Sequence, residues 1–128
     1  MKKLENRVKL ESQNNVFLID WLTVVFKDQT VFGVQFLLGL SGGDIPWENK
    51  HSFVYGYPMT TYWNSIAIRW GADCADFYTS DELKKAEDKV RYDMGICLEM
   101  SGQGCRAFET YGRGNWIDLL TEISDSFG

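Results

Sequence analysis

The sequence predicts an α+β fold, an antiparallel sheet of about four strands with two or three helices on one face, in the order β-α-β-β-β-α. Several segments are rich in β-branched and aromatic residues, which favours strands. Short links join consecutive strands, and short links require antiparallel pairing. Two other segments place apolar residues at helical spacing beside capping residues. The 128 residues, 45% of them hydrophobic, suit a single domain over 1–128.

The first half of the chain predicts one buried strand followed by one helix. Residues 16–26, VFLIDWLTVVF, read as a strand with a single acid inside it. Residues 31–40, VFGVQFLLGL, carry apolar side chains at helical spacing. Asp28 or Thr30 can cap the start of this helix, and Gly39 can end it.

The middle of the chain predicts a hairpin. A strand over 51–58, HSFVYGYP, is expected to end at Pro58, and a second strand covers 64–72, NSIAIRWGA. The intervening MTTYWN is short enough to be the turn of this hairpin.

The second half predicts a helix, a strand and a final helix. Capping-box spacing favours a short exposed helix at 80–89, and VRYDMGICLEM at 90–100 reads as a strand. Residues 115–127 predict a helix with Asn115 as its N-cap. Its apolar face consists of Trp116, Leu119, Leu120 and Ile123.

The stretch GICLEMSGQGCRAFETYG at 95–112 predicts a turn in which Gly102 and Gly104 supply positive φ angles. An anion held by the backbone amides of this turn is the alternative. The stretch lacks the third glycine of a dinucleotide fingerprint and the G-K-[ST] of a Walker motif. Cys105 as a nucleophile needs a base, and the sole histidine, His51, lies 54 positions earlier.

The other reactive side chains are expected to have structural roles and not to form an active site or a metal site. His51 is expected to be structural or on the surface, and Asp20 to be hydrogen-bonded or at an edge. Glu99 and Glu109 could share Mg²⁺, although pairing of one of them with Arg106 is the simpler expectation. The three cysteines have spacings that do not fit a zinc site, and reduced thiols are expected. No metal, cofactor or catalytic residue is predicted.

Charge is unevenly distributed along the chain. Residues 1–10 contain four basic residues and one acid, and residues 11–128 contain nine basic and seventeen acidic residues. A flexible basic arm is expected over 1–14, followed by an acidic body that repels phosphate backbones. No transmembrane segment or signal peptide is recognisable, which predicts a cytosolic protein.

The middle segment also carries a group of aromatic side chains. Such rings on an open sheet face can stack on nucleic-acid bases, although core or cross-strand pairing is more common at strand spacing. The candidates for base stacking are Tyr55, Tyr57, Tyr62 and Trp63.

The chain resembles the N-terminal part of Rep_trans-type replication initiation factors, the rolling-circle initiators of plasmids, phages and integrative elements. The similar stretches occur in order, and LEMSGQGCRAFE is the most specific of them. They are FLIDWLTVVF (17–26), GL (39–40), YGYP (55–58), MGICLEMSGQGCRAFE (94–109) and WIDLL (116–120). In that family, the nicking tyrosine and the metal-binding segment follow the W-x-x-L-L helix, and no residue here matches them. The resemblance therefore implies the fold and ancestry of an initiator without catalytic activity.

Two functions fit this resemblance. The acidic balance favours a mobile-element inhibitor of a host nucleic-acid enzyme, such as an anti-CRISPR protein that occupies the cationic channel of an RNA-guided nuclease in a bacterial cytoplasm. The alternative is the domain of an initiator that binds origin DNA. The residues expected to contact a basic partner protein are Asp73, Asp76, Asp81, Glu82, Glu87 and Asp88.

Overall fold

The computed structural model describes residues 7–13, 16–27, 29–72, 90–91 and 95–127. These residues form an α+β structure with seven strands and three helices. The strands are β1 Arg7–Gln13, β2 Val16–Phe26, β3 Glu48–Val54, β4 Tyr57–Trp63, β5 Ile66–Ala72, β6 Val90–Arg91 and β7 Ile96–Met100. The helices are α1 Val31–Leu38, α2 Gly102–Tyr111 and α3 Trp116–Phe127.

All strand pairs in the described part are antiparallel, as the short links predicted. The order across the sheet is β1-β2-β7-β5-β4-β3, and the two-residue β6 also pairs with β5. The sheet is therefore larger than the predicted four strands. Strand β7 lies in the middle of the sheet, between β2 and β5, both of which come earlier in the sequence.

The helices pack on one face of the sheet and close a single hydrophobic core. Alternate residues of each central strand point to this helix face, as the period of two requires. Val34 and Leu38 of α1, Phe108 of α2 and Leu119 of α3 all belong to the same buried cluster. The sheet contributes Leu22, Val24, Phe26, Ile66, Ile68, Trp70, Ile96, Leu98 and Met100.

Several predicted elements are confirmed. Strand β2 has the predicted bounds, and α1 begins after Thr30, whose side chain accepts from the Gly33 amide at 2.8 Å. Gly39 ends α1 in the left-handed conformation with φ 74°. On α3, Trp116 and Leu119 are buried as expected, whereas Leu120 is only partly buried.

The predicted hairpin over 51–72 is wrong in its boundaries. All of MTTYWN except its last residue belongs to β4, and the turns lie at Tyr55–Gly56 and Asn64–Ser65, where all four residues have positive φ. Such two-residue turns match the twist of an antiparallel hairpin. Pro58 does not end a strand, because it lies in a register shift between β3 and β4, where a missing N–H is tolerated.

The predicted glycine turn is also wrong, because Gly102 begins helix α2. Neither Gly102 nor Gly104 is among the positive-φ residues of the described chain. Close packing requires glycine at position 104 instead, because a methyl group there would overlap the backbone carbonyl oxygen of Ser65. A methyl group at Gly102 would lie 2.9 Å from Oδ1 of the Asp20 side chain. The single strand predicted over 90–100 is present only in part, as the separate strands β6 and β7, and Gly95 before β7 has a positive φ of 72°.

Residues 7–13 of the predicted basic arm form β1, an edge strand paired with β2. The pairing of Lys9 with Trp21 and of Leu10 with Ile19 leaves Asp20 as an extra residue in β2. Asp20 therefore occupies a β-bulge beside the start of α2, which explains an acid inside an apolar strand. The helix predicted at 80–89 lies outside the described residues.

We expect Gly104→Ala to lower the free energy of unfolding by about 1–3 kcal/mol, because the added methyl group overpacks against a backbone carbonyl. Gly42→Ala is the matched control, since a methyl group there meets nothing within 4 Å. Urea denaturation of both variants measures the difference. Equal stability of the two variants would show that α2 does not approach the β4–β5 turn this closely.

Candidate nucleic-acid interface

A polar cluster lies on the second face of the sheet, the face turned away from the helices. Its centre is Glu99 of β7, which accepts hydrogen bonds from Arg69 Nη1 and from the Tyr55 hydroxyl, each at 2.8 Å. The Thr23 hydroxyl lies 3.5 Å from Glu99 and accepts a hydrogen bond from Trp21 Nε1 at 2.8 Å. We call Trp21, Thr23, Tyr55, Arg69 and Glu99 the Glu99 cluster.

Charges in the Glu99 cluster compensate each other. The side chains of Arg69 and Glu99 are each only 12% exposed, so their ion pair is largely removed from water. The hydrogen bond to Glu99 raises the pKa of Tyr55, which keeps the phenol neutral and donating. The Tyr55 ring also lies 5.3 Å from the Arg69 guanidinium. The cluster therefore joins β2, β5, β7 and the β3–β4 turn and leaves little charge free for catalysis.

A second polar group connects the two C-terminal helices with β2. Arg106 of α2 donates to the carbonyl oxygen of Ile19 and, at 3.0 Å, to Glu109. Glu109 also accepts from Trp116 Nε1 at 2.7 Å. Glu109 thus pairs with Arg106, as predicted, whereas Glu99 binds a different arginine on the other side of the sheet. The described residues contain no group of three potential metal ligands.

The two described cysteines are poorly suited to nucleophilic chemistry. Cys97 and Cys105 are fully buried, and burial raises the pKa of each thiol to about 12. Both are therefore protonated at neutral pH. The sole histidine, His51, lies on edge strand β3, and its ring centroid is 5.1 Å from that of Phe53. Cys105 lies on a different element, α2. Cys105 instead contacts the carbonyl oxygen of Met100 at 3.8 Å, within the core.

The structure does not bring the four predicted stacking residues together on one surface. Tyr55 is bound in the Glu99 cluster, and Tyr57 is buried. Tyr62 lies beneath Lys50, whose Nζ is 4.9 Å from the ring centroid. Trp63 follows Tyr62 directly in β4 and therefore points to the opposite face of the sheet.

Trp63 instead lies in a row of three aromatic rings at one corner of the helix face. Its ring centroid is 6.0 Å from that of Trp47 and 5.6 Å from that of Tyr111. We call Trp47, Trp63 and Tyr111 the aromatic row. Two of its members were not predicted from the sequence, because the three rings come from a loop, a strand and a helix and share no periodicity.

The acidic segment proposed from the sequence as a partner surface, Asp73, Asp76, Asp81, Glu82, Glu87 and Asp88, lies outside the described residues. Its role remains a prediction. Within the described ranges, no helix has the length and apolar character needed to span a bilayer.

Comparison with protein-family models identifies a family for this chain. The family model described as the rolling circle replication initiation protein N-terminal domain matches residues 16–122, from the start of β2 into α3. The match includes the Glu99 cluster and the aromatic row, and it confirms the resemblance noted from the sequence. No significant match was found among curated proteins or solved structures.

We expect Glu99→Gln to lower the free energy of unfolding by about 1.5–3 kcal/mol, because Arg69 would be left without a charged hydrogen-bond partner in a poorly hydrated site. Glu48→Gln is the control, since Glu48 is 68% exposed and lies 3.7 Å from the exposed Lys50. Thermal and urea denaturation check both variants. An unchanged stability of Glu99→Gln would contradict a structural role for the cluster.

Proposed function

Because the chain belongs to the family of rolling-circle replication initiation protein N-terminal domains, we propose that it binds origin DNA and has no strand-cleaving activity of its own. The family match over residues 16–122 is the observation that carries this proposal. The reactive side chains of the described part also support it. Glu99 and Glu109 bind arginines, and the two described thiols are buried and protonated.

The basic residues at the start of the chain are suited to contact DNA phosphates, although the total charge of the chain is negative. Lys2, Lys3, Arg7 and Lys9 oppose a single acid in residues 1–10. Strand β1, which carries two of them, forms one edge of the sheet. A local excess of basic residues in the sequence can attract a phosphate backbone even when the whole chain has a net charge of −5.

The initiator function is proposed in preference to the inhibitor function. The family match indicates replication initiation, and neither the comparisons nor the described contacts point to a nuclease partner. The acidic segment on which the inhibitor hypothesis depends lies outside the described residues. An origin-binding domain of a plasmid, phage or integrative element would act in the cytoplasm of the bacterial host.

We expect the protein to bind origin DNA with an affinity that falls with salt. Replacing Lys2, Lys3, Arg7 and Lys9 with alanine should lower the slope of log K against log salt, by about 0.9 for duplex DNA and about 0.7 for single-stranded DNA for each phosphate that is no longer neutralised. Fluorescence anisotropy with labelled DNA, in duplex and single-stranded form, measures this slope. Lys50→Ala, on the opposite edge strand, is the control and should leave the slope unchanged. Absence of DNA binding at low salt would refute the proposal.

We also expect supercoiled origin plasmid to stay supercoiled when it is incubated with the protein and Mg²⁺ or Mn²⁺. The reason is that the described carboxylates form no metal site. Gel electrophoresis of the plasmid is the measurement. Metal-dependent relaxation that disappears in Asp20→Ala or Glu99→Ala would show that the domain itself cleaves DNA.

A further inference from the structure

We infer that the aromatic row is a stacking site for the unpaired bases of single-stranded DNA. This inference rests on the proposed function and specifies where DNA binds and that the bound DNA is single-stranded. Tyr111, at the C-terminal end of α2, is 60% exposed. Covering this exposed ring and the two partly exposed tryptophans beside it with another flat apolar surface lowers the free energy.

The two tryptophan rings of the aromatic row are held in place before any ligand binds. Trp47 is fixed by a 2.8 Å hydrogen bond from its Nε1 to the carbonyl oxygen of Leu40. Trp63 lies between the other two rings, with interplanar angles of 60° to Trp47 and 73° to Tyr111. Its position is set by the β4–β5 pairing, in which it opposes Ile66. Rings fixed in this way lose little conformational entropy when a base stacks on them.

The polar groups beside the aromatic row suit bases better than phosphates. Asn64 follows Trp63 in the β4–β5 turn, and its side chain accepts a hydrogen bond from Gln103 of α2 at 3.2 Å. Amide side chains can donate to and accept from the edges of bases. The nearby cation, Arg113, already binds both carboxylate oxygens of Glu122, at 2.9 and 2.8 Å. This corner of the molecule therefore has hydrogen-bonding capacity with little uncompensated positive charge.

Single-stranded DNA fits this surface better than duplex DNA does. The flat faces of bases are accessible only when they are unpaired, and stacking on aromatic side chains tolerates any base sequence. Duplex binding depends mainly on neutralising phosphates, and a chain with a net charge of −5 has few cations for that purpose away from residues 1–10. Stacking lets an acidic domain hold an unwound strand without a continuous cationic groove.

The test is the binding of labelled oligothymidylate and of a labelled duplex to Tyr111→Ala, compared with the unaltered protein. We expect the variant to bind oligothymidylate about tenfold more weakly or worse, with little change for the duplex. Tyr111→Phe should retain binding, because it keeps the stacking surface. Quenching of tryptophan fluorescence by unlabelled oligothymidylate should accompany binding.

Phe36→Ala is the matched control, because Phe36 is 68% exposed on α1 and stacks on Phe32 rather than on the aromatic row. Its affinity for oligothymidylate should be unchanged. Equal losses of affinity in Phe36→Ala and Tyr111→Ala would overturn the inference in favour of general surface hydrophobicity. Loss of binding in Tyr111→Phe would overturn it in favour of the hydroxyl group.

The two proposals can fail separately. If the protein binds DNA and Tyr111→Ala binds oligothymidylate normally, the stacking site is wrong and the proposed function stands. If the unaltered protein binds neither duplex nor oligothymidylate, both are wrong. Circular dichroism and thermal melting of each variant confirm that the exposed positions were changed without loss of the fold.

Discussion

The register of β7 between β2 and β5 is the constraint on which the rest of the structure depends. Leu22, Met100 and Ile66 lie opposite one another across these three strands. A slip of one residue would turn Glu99 into the core and expose its apolar neighbours. The bonds from Arg69 and Tyr55 to Glu99 on one face, and the contact of Gly104 with the Ser65 carbonyl at the strand end, both oppose such a slip. Packing and hydrogen bonding therefore explain why the stretch LEMSGQGCRAFE has a glutamate at position 99 and a glycine at position 104.

Elements with local signals could be predicted from the sequence, and elements set by distant contacts could not. Strand β2 is a long β-branched run, and α1 has an N-cap and a left-handed glycine, so both were predicted correctly. Helix α2 begins with residues of low helix propensity, and its glycines are explained only by the backbone of Ser65 and the side chain of Asp20. The turn at Asn64–Ser65 carries no glycine. Of the aromatic row, only Trp63 was a candidate, because Trp47 and Tyr111 reach it through tertiary structure.

Net charge alone does not identify a surface that mimics nucleic acid, because it ignores the pairing of carboxylates with cations. A mimic of nucleic acid needs carboxylates that are free on the surface. In the described part, however, Glu99, Glu109 and Glu122 each bind an arginine, and the first is almost removed from water. These three acids contribute to the net negative charge. Because each is paired with an arginine, they do not resemble the free phosphates of a nucleic-acid backbone. The acidic total is therefore informative only where the partners of the carboxylates are known.

The two DNA contacts proposed above, at β1 and at the aromatic row, lie at separate places in the sheet, and this separation limits how one DNA strand could make both. Strand β1 is the first strand in the sheet order, and β4, which carries Trp63, is the fifth. Four strand intervals correspond to about 19 Å. A single DNA strand whose phosphates contact β1 and whose bases stack on Trp63 would therefore have to span at least this distance, which takes several nucleotides. A shorter oligonucleotide reaches one contact only, whereas a longer one links both, and the second contact then forms at a high effective concentration. Two individually weak contacts on an acidic domain can in this way hold an unwound strand firmly.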